Sequence, residues 1–368
     1  MSSIISAIGT SNPENRFSQE QIFQFMKDAH QLDAPNARRL EKLYQVSGID
    51  FRHSVLNDFG KIRGEYDFFG NGLGLEPFPS TSLRGDLFQF KALNLSTHAI
   101  ENCLNQIKGF DKTNISHLIT VSCTGMYAPG LDIEIVEKLG LNPNTERTCI
   151  NFMGCYGAFN ALKVADYICR AQPNSNVLIV DVELCTLHFQ RENTLDNWLS
   201  NSLFADGASA VLVQNEEFAT EKLFKIDSFY TEVVTEAKNE MAWKIGNHGF
   251  EMQLTNKVSK QIKSGIKNIS EKLLKKANLA LDEIGSFAIH PGGRKILEVC
   301  DEVFQLTNDQ NEHAYTVLKN FGNMSSTTIL FVLDELSKKL KLKNNNEKIM
   351  SFAFGPGLTF ESMVLTYA

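Results

Sequence analysis

Three residues far apart in the chain have the types and settings that acyl-thioester chemistry needs: Cys155, His290 and Asn323. Cys155 sits in Asn151-Phe152-Met153-Gly154-Cys155-Tyr156-Gly157-Ala158-Phe159, where an apolar helix pattern opens. A thiol at such a start faces the unpaired N–H groups and positive end of the helix, which favour thiolate. The competing reading is a small buried hydrophobe. A cysteine nucleophile needs a base or cation, and histidine is the usual partner. His290 precedes Pro291-Gly292-Gly293, a turn that leaves an imidazole open and lets a ligand or backbone approach closely. Asn323 offers an amide that can donate to a developing oxyanion. Taken alone it is a helix N-cap, and the two roles are compatible. His30, His53, His98 and His117 read as ordinary surface or core histidines.

Together these groups predict a thiolate that takes an acyl group while His and Asn donate to a thioester carbonyl oxygen. In that geometry a malonyl thioester can lose CO2, because the enolate oxygen is stabilised. The enolate carbon then attacks the acyl-cysteine. The scheme requires no metal, and the sequence offers no metal-ligand cluster.

The elements that must hold these groups repeat. Residues 117–122 and 177–182 read as strands buried on both faces. Between them, 158–169 is apolar except at Asn160, Lys163 and Asp166, which predicts a mostly buried helix with one narrow wet stripe. The second half gives a strand at 286–289, an apolar helix at 327–336 opened by Asn323, and a strand at 349–354. An offset of 168 residues carries Cys155 onto Asn323 and Ser122 onto His290. Duplication of a strand–helix–strand unit explains this. Facing α/β units bring such ends together at a central crevice. The halves divide as 1–215 and 216–368, with a joint at Asn215-Glu216-Glu217, and 341–348 reads as a solvated loop.

At 368 residues the chain is large enough for two domains or one two-part domain. A net charge of −7 argues against nucleic-acid binding. Seven cysteines, an odd number with no C-x-x-C pair, fit free thiols in a reducing compartment. The N-terminus shows no basic region followed by a long apolar core, and no run reaches the length of a membrane span, so a cytoplasmic protein is expected. The 26 phenylalanines serve either core packing or the lining of an acyl tunnel.

The chain resembles the type III polyketide synthases, the chalcone and stilbene synthase-like family of the thiolase superfamily, as a bacterial-type member. The resemblance runs from Ala7-Ile8-Gly9-Thr10-Ser11-Asn12-Pro13 through Gly154-Cys155-Tyr156-Gly157 and Ser202-Leu203-Phe204-Ala205-Asp206-Gly207-Ala208. It continues in His290-Pro291-Gly292-Gly293 and Gly322-Asn323-Met324-Ser325-Ser326 and closes with Phe354-Gly355-Pro356-Gly357. It implies an α/β thiolase fold, two pseudo-duplicated halves in a layered αβαβα core. It also implies a homodimer that loads acyl-CoA directly and extends it with malonyl-CoA, with no carrier protein and no cofactor beyond these substrates.

By the same resemblance Cys155 is the nucleophile, with His290 and Asn323 as activator and oxyanion donors. Phe204 matches a gatekeeping phenylalanine, and the second gatekeeper falls on Met252. Cavity-lining positions fall on Cys123, Thr124, Cys185, His188 and Ser325, and Ala128 matches a residue that reaches across the dimer. Cys185 and His188 replace small hydroxyl residues of plant members, so a plant-like starter does not carry over. Arg39 and Lys42 match CoA-phosphate positions; a third is Val46, for which Lys295 could compensate. Two other readings stay open: a single-round ketoacyl synthase III-like enzyme, and an inactive acyl-CoA-binding protein on this fold.

Overall fold

The structure is a computed structural model that describes residues 2–255, 257–341 and 346–368. The first half runs β1 (Ser3–Ser11), β2 (Asn15–Ser18), α1 (Gln19–Ala29), α2 (Ala34–Val46), β3 (Phe51–Ser54), α3 (Thr81–Leu104) and β4 (His117–Ser122). It continues with α4 (Leu131–Leu139), β5 (Glu146–Asn151), α5 (Gly157–Ala171), β6 (Asn176–Leu184), α6 (Leu195–Leu203) and β7 (Asp206–Asn215). The second half runs β8 (Phe224–Val233), β9 (Met241–Gly246), β10 (Gly249–Leu254), α7 (Val258–Ala277) and β11 (Ile284–Ile289). It ends with α8 (Arg294–Phe304), α9 (Asn308–Phe321), α10 (Thr328–Leu340), β12 (Lys348–Gly355) and β13 (Thr359–Tyr367).

Nine strands pair in the order β11-β12-β13-β8-β1-β7-β6-β4-β5. The pairing pattern itself repeats. In the first half β4 runs parallel to β6, and β6–β7 and β7–β1 are antiparallel. In the second, β11 runs parallel to β12, and β12–β13 and β13–β8 are antiparallel. A short antiparallel contact, Ser3–Ile5 against Phe224–Ile226, joins the halves. α3 covers β1, β6 and β7 from outside, α7 covers β8 and β13, and α5 and α10 lie between the two halves of the sheet. This is the layered α/β arrangement of the thiolase fold expected from the sequence.

The apolar runs decide these layers. Phe159 and Leu162 of α5 and Ile329, Leu330 and Leu333 of α10 have no exposed area, and each fully buried side chain of this size contributes roughly 1.5–3 kcal/mol. The stripe on α5 is not wet. Lys163 pairs with buried Glu361 of β13 at 2.8 Å, and buried Asp166 accepts from Ser3 and pairs with Arg170. Polar periodicity marked the right positions, but their partners come from elements distant in sequence: Glu361 from the other half and Ser3 from the first strand. Half of the solvated loop expected at 341–348 lies outside the described residues, and its last residue, Lys348, opens β12. Most phenylalanines pack with one another, as in the Phe25, Phe59, Phe69 and Phe189 cluster; Phe59 and Phe189 of this group also reach the inner cavity.

Candidate active site

Cys155 lies in the turn between β5 and α5, one residue before the helix N-cap, Tyr156. Phe152 at φ 62 and Gly154 at φ 81 occupy the left-handed region, which turns the chain sharply. A Cβ at Gly154 would collide with Pro356, so only glycine lets the 354–357 loop close over this turn. Asn323 follows Gly322, where α9 ends. It does not cap α10, as the sequence suggested. A 3-10 turn, Ser325–Thr327, comes first. Its backbone bridges instead to the end of α6: its N–H donates to Leu203 O at 2.9 Å, and its carbonyl accepts from Ala205 N–H at 2.9 Å. His290 follows the end of β11 and is fixed by its N–H donating to Phe352 O at 2.8 Å. Each half therefore contributes strand ends and helix starts to one crevice.

Two cavities meet at Cys155. An outer channel is lined by Cys155, His290 and Asn323, with Leu203, Leu254 and Val258 among its apolar walls and Arg294 and Lys295 also on its wall. An inner cavity is lined by Cys155, Cys123, Thr124, Cys185, His188 and Ser325. Phe204, Met241 and Met252 line both, so they stand at the junction. The inner cavity is tight, with about 50 Å³ of free space against about 300 Å³ in the outer channel.

The catalytic candidates retain unspent hydrogen-bonding capacity. Asn323 Oδ1 accepts from Ser325 N–H at 2.9 Å and Nδ2 donates to Gly292 O at 3.2 Å, which orients the amide and leaves one N–H free of these contacts. Both ring nitrogens of His290 are buried without a partner. Burial lowers the His290 pKa to about 3. Burial also pushes the Cys155 thiol up to about 12, opposed by the Ser325 hydroxyl, raised further by Glu183, and lowered by the Asn323 amide. Loss of solvent opposes the helix end, so burial disfavours charge on the thiol and the imidazole alike, against the thiolate expected from the helix start alone.

The wall of the inner cavity is aromatic and ordered. His188 stacks on Phe250 at 4.1 Å, and Trp243 meets both rings edge-on. His188 Nε2 lies 2.7 Å from Thr124 O, and Nδ1 accepts from Phe250 N–H at 3.0 Å. That assigns the Nε2–H tautomer, and burial holds the pKa near 3. Trp243 Nε1 donates to Cys123 O at 2.8 Å.

The sequence thus named Cys155, His290, Asn323, Phe204, Met252, Cys123, Thr124, Cys185, His188, Ser325 and Lys295 at positions that the fold gathers. Three others fall elsewhere. Arg39 and Lys42 are exposed on α2, one turn before Leu43 and Val46, which line the channel. Ala128 lies on a separate surface hollow beside Cys149 and Asn151 of edge strand β5. Arg294, Met241, Trp243, Phe250 and Glu183 were missed. Arg294, next to Gly293, was legible from its place in the turn. The hairpin residues were not, because β9 and β10 pair outside the main sheet. Among the described residues no group of three His, Cys, Asp or Glu could hold a metal.

Comparison with known proteins matches residues 2–217 to the N-terminal domain of chalcone and stilbene synthases and 225–367 to their C-terminal domain. The chain is 29% identical over 371 residues to probable polyketide synthase 1 of Dictyostelium discoideum, covering 99% of this chain but 11% of that protein. It is 28% identical to the alpha-pyrone synthesis polyketide synthase-like Pks18 of Mycobacterium tuberculosis, covering 98% and 90%. The crystal structure of the C-terminal type III polyketide synthase domain of Steely1, a type I/III hybrid from Dictyostelium, superposes with a TM-score of 0.92 at 27% identity, over 100% of this chain and 99% of that one.

Proposed function

The chain belongs to the chalcone and stilbene synthase family, the type III polyketide synthases, which are acyl-transferring condensing enzymes, and from that premise we propose how it works. The observation that carries the reading is the position of Cys155 at the junction of two cavities, with His290 and Asn323 on the outer side. An acyl-CoA starter enters by the outer channel and acylates Cys155, expelling CoA. Malonyl-CoA then occupies the same channel. His290 and Asn323 donate to its thioester oxygen, CO2 leaves, and the enolate carbon attacks the acyl-cysteine, releasing the Cys155 thiolate and a β-ketoacyl-CoA. Return of that chain to Cys155 allows another round, and the inner cavity houses the growing chain until it cyclises to a pyrone, resorcinol or related aromatic product.

Residues 1–215 supply the thiol, and 216–368 supply the histidine and amide. Arg294 and Lys295 are the cations suited to CoA phosphates; each is ion-paired with Glu298, a partner that phosphate would replace. An unpaired edge strand, β5, mostly exposed and beside Ala128, supports a homodimer formed along that edge. Among the described residues no helix is long and apolar enough to cross a membrane, and seven free cysteines suit a reducing, cytoplasmic setting.

The aromatic wall favours short starters and few extensions. Incubation with malonyl-CoA and a panel of acyl-CoA starters, followed by mass spectrometry, tests the reading: CO2 release and a cyclised product are expected with at least one short starter. Failure with every starter, on folded protein, overturns it. Trp243→Ala removes the edge-on indole and should shift preference toward bulkier starters by roughly tenfold, the worth of one or two methylenes. An unchanged starter ranking would show that the indole does not bound the acyl chain.

A further inference from the structure

Two carboxyl groups on β6, Asp181 and Glu183, point to the same face of the strand, and neither has exposed area. Ser326 sits between them. Its Oγ lies 2.9 Å from Asp181 Oδ1 and 2.7 Å from Glu183 Oε1. A hydroxyl has one proton and can donate to only one of these oxygens. The other carboxyl must supply a proton of its own and donate to Oγ, so one of the pair is a neutral acid.

The surroundings say which. Glu183 Oε2 accepts from Cys123 N–H at 2.9 Å and from the Thr124 hydroxyl at 2.7 Å. Asp181 Oδ2 is buried with no partner. A buried ionised oxygen without a donor is far costlier than the carbonyl oxygen of a neutral acid. Glu183, ringed by donors, is the anion, and Asp181 holds the proton. Burial raises both carboxyls above the ordinary range, and for Asp181 the Glu183 charge adds to it. The titratable groups around the pair come from several elements: Cys123 after β4, Cys155 before α5 and Cys185 after β6, with Asp206 of β7 beyond, acting on Cys185. No cation figures among the groups acting on either carboxyl.

We infer that Asp181 is a protonated carboxylic acid in the working enzyme and a positioning residue: through Ser326 it holds Glu183 against the Cys123–Thr124 wall of the inner cavity, and loss of its proton sets the enzyme's alkaline limit. The inference rests on the proposed function only in taking that cavity as catalytic. Once Asp181 ionises, two uncompensated charges flank Ser326, and a second anion joins Glu183 near Cys155. Both the fold and the formation of thiolate then suffer.

The sign follows from linkage. The unfolded chain releases the Asp181 proton at the ordinary carboxylate pH, and the native chain keeps it well above that. Between those points the native state binds one proton more, and the folding constant falls about tenfold per pH unit as pH rises. Asp181→Asn places an N–H donor where the acid O–H stood and cannot ionise. It should flatten that slope, move the alkaline limb of condensation to higher pH, and leave neutral-pH turnover within about threefold, as a neutral isostere should. Infrared difference spectra should show a protonated-carboxyl band in the wild type at neutral pH that is missing from Asp181→Asn. Absence of that band, or an Asn variant with the wild-type slope and alkaline limb, overturns the inference. If the variant does not fold, loss of the wild-type band on raising the pH supports the inference, and absence of the band refutes it. If the wild type makes no polyketide, the functional reading fails, while the infrared and stability measurements still decide the state of Asp181.

Discussion

Cys155→Ala should leave no measurable polyketide, a loss on the order of 10⁴-fold or more, because no other group in the proposed scheme carries the acyl chain. The fold should survive. The substitution removes one sulfur and leaves in place the features that shape the turn, Phe152, Gly154 and the 354–357 loop. Circular dichroism and the thermal midpoint check this, so that a loss of activity is a loss of chemistry. Malonyl-CoA decarboxylation separates the steps. In Cys155→Gln the side-chain amide cannot be acylated, yet His290 and Asn323 still face the channel, so CO2 release should persist without chain extension. An undiminished condensation rate in Cys155→Ala would remove the nucleophile from the scheme. The thiol also has a distinctive pH signature. Because burial pushes Cys155 to about 12, iodoacetamide should inactivate the free enzyme slowly, with a rate that climbs about tenfold per pH unit through the mildly alkaline range. A plateau near neutral pH would mean a preformed thiolate–imidazolium pair.

The sequence carried the repeat and the reactive groups because both leave local marks. Buried strands show as apolar runs, and the turn at Cys155 is marked by Gly154, which the backbone requires. The charge state of the site left no such mark. A cysteine before a helix looks activated until its enclosure is known, and enclosure comes from Pro356, Ser325 and Phe354 in the other half. Lys163 and Asp166 are similar: their spacing on α5 was readable, but Glu361 and Ser3, which neutralise or bind them, are brought in by strands on either side. Arg39 and Lys42 precede Leu43 and Val46 by one turn of α2, on the same face but exposed, so the sequence spacing places these cations beside the channel without showing what they bind. Trp243 and Phe250 reach the inner cavity from a hairpin outside the main sheet, so no strand or helix period connects them to Cys155.

His290→Ala and Asn323→Ala should each lower malonyl-CoA decarboxylation by about 10²–10³-fold, the usual cost of one oxyanion donor. They differ in what else they disturb. His290 has no side-chain partner to orphan, so His290→Ala should keep its thermal midpoint. Asn323 orients Ser325 N–H and Gly292 O, and Asn323→Ala should lose some stability as well. Single-turnover acylation of Cys155 by a starter CoA distinguishes their roles. His290 is the only one of the two that can take up a proton, so its loss should slow acylation strongly, whereas Asn323→Ala should acylate within about tenfold of wild type because a neutral amide cannot act as a base. The double variant should be little worse than the poorer single one, since both donors serve the same oxygen and their effects are not additive. Multiplying losses would mean that the two groups act on different atoms. Decarboxylation unchanged in Asn323→Ala would place the enolate oxygen away from the amide, and the outer channel would then need a different donor for the developing charge.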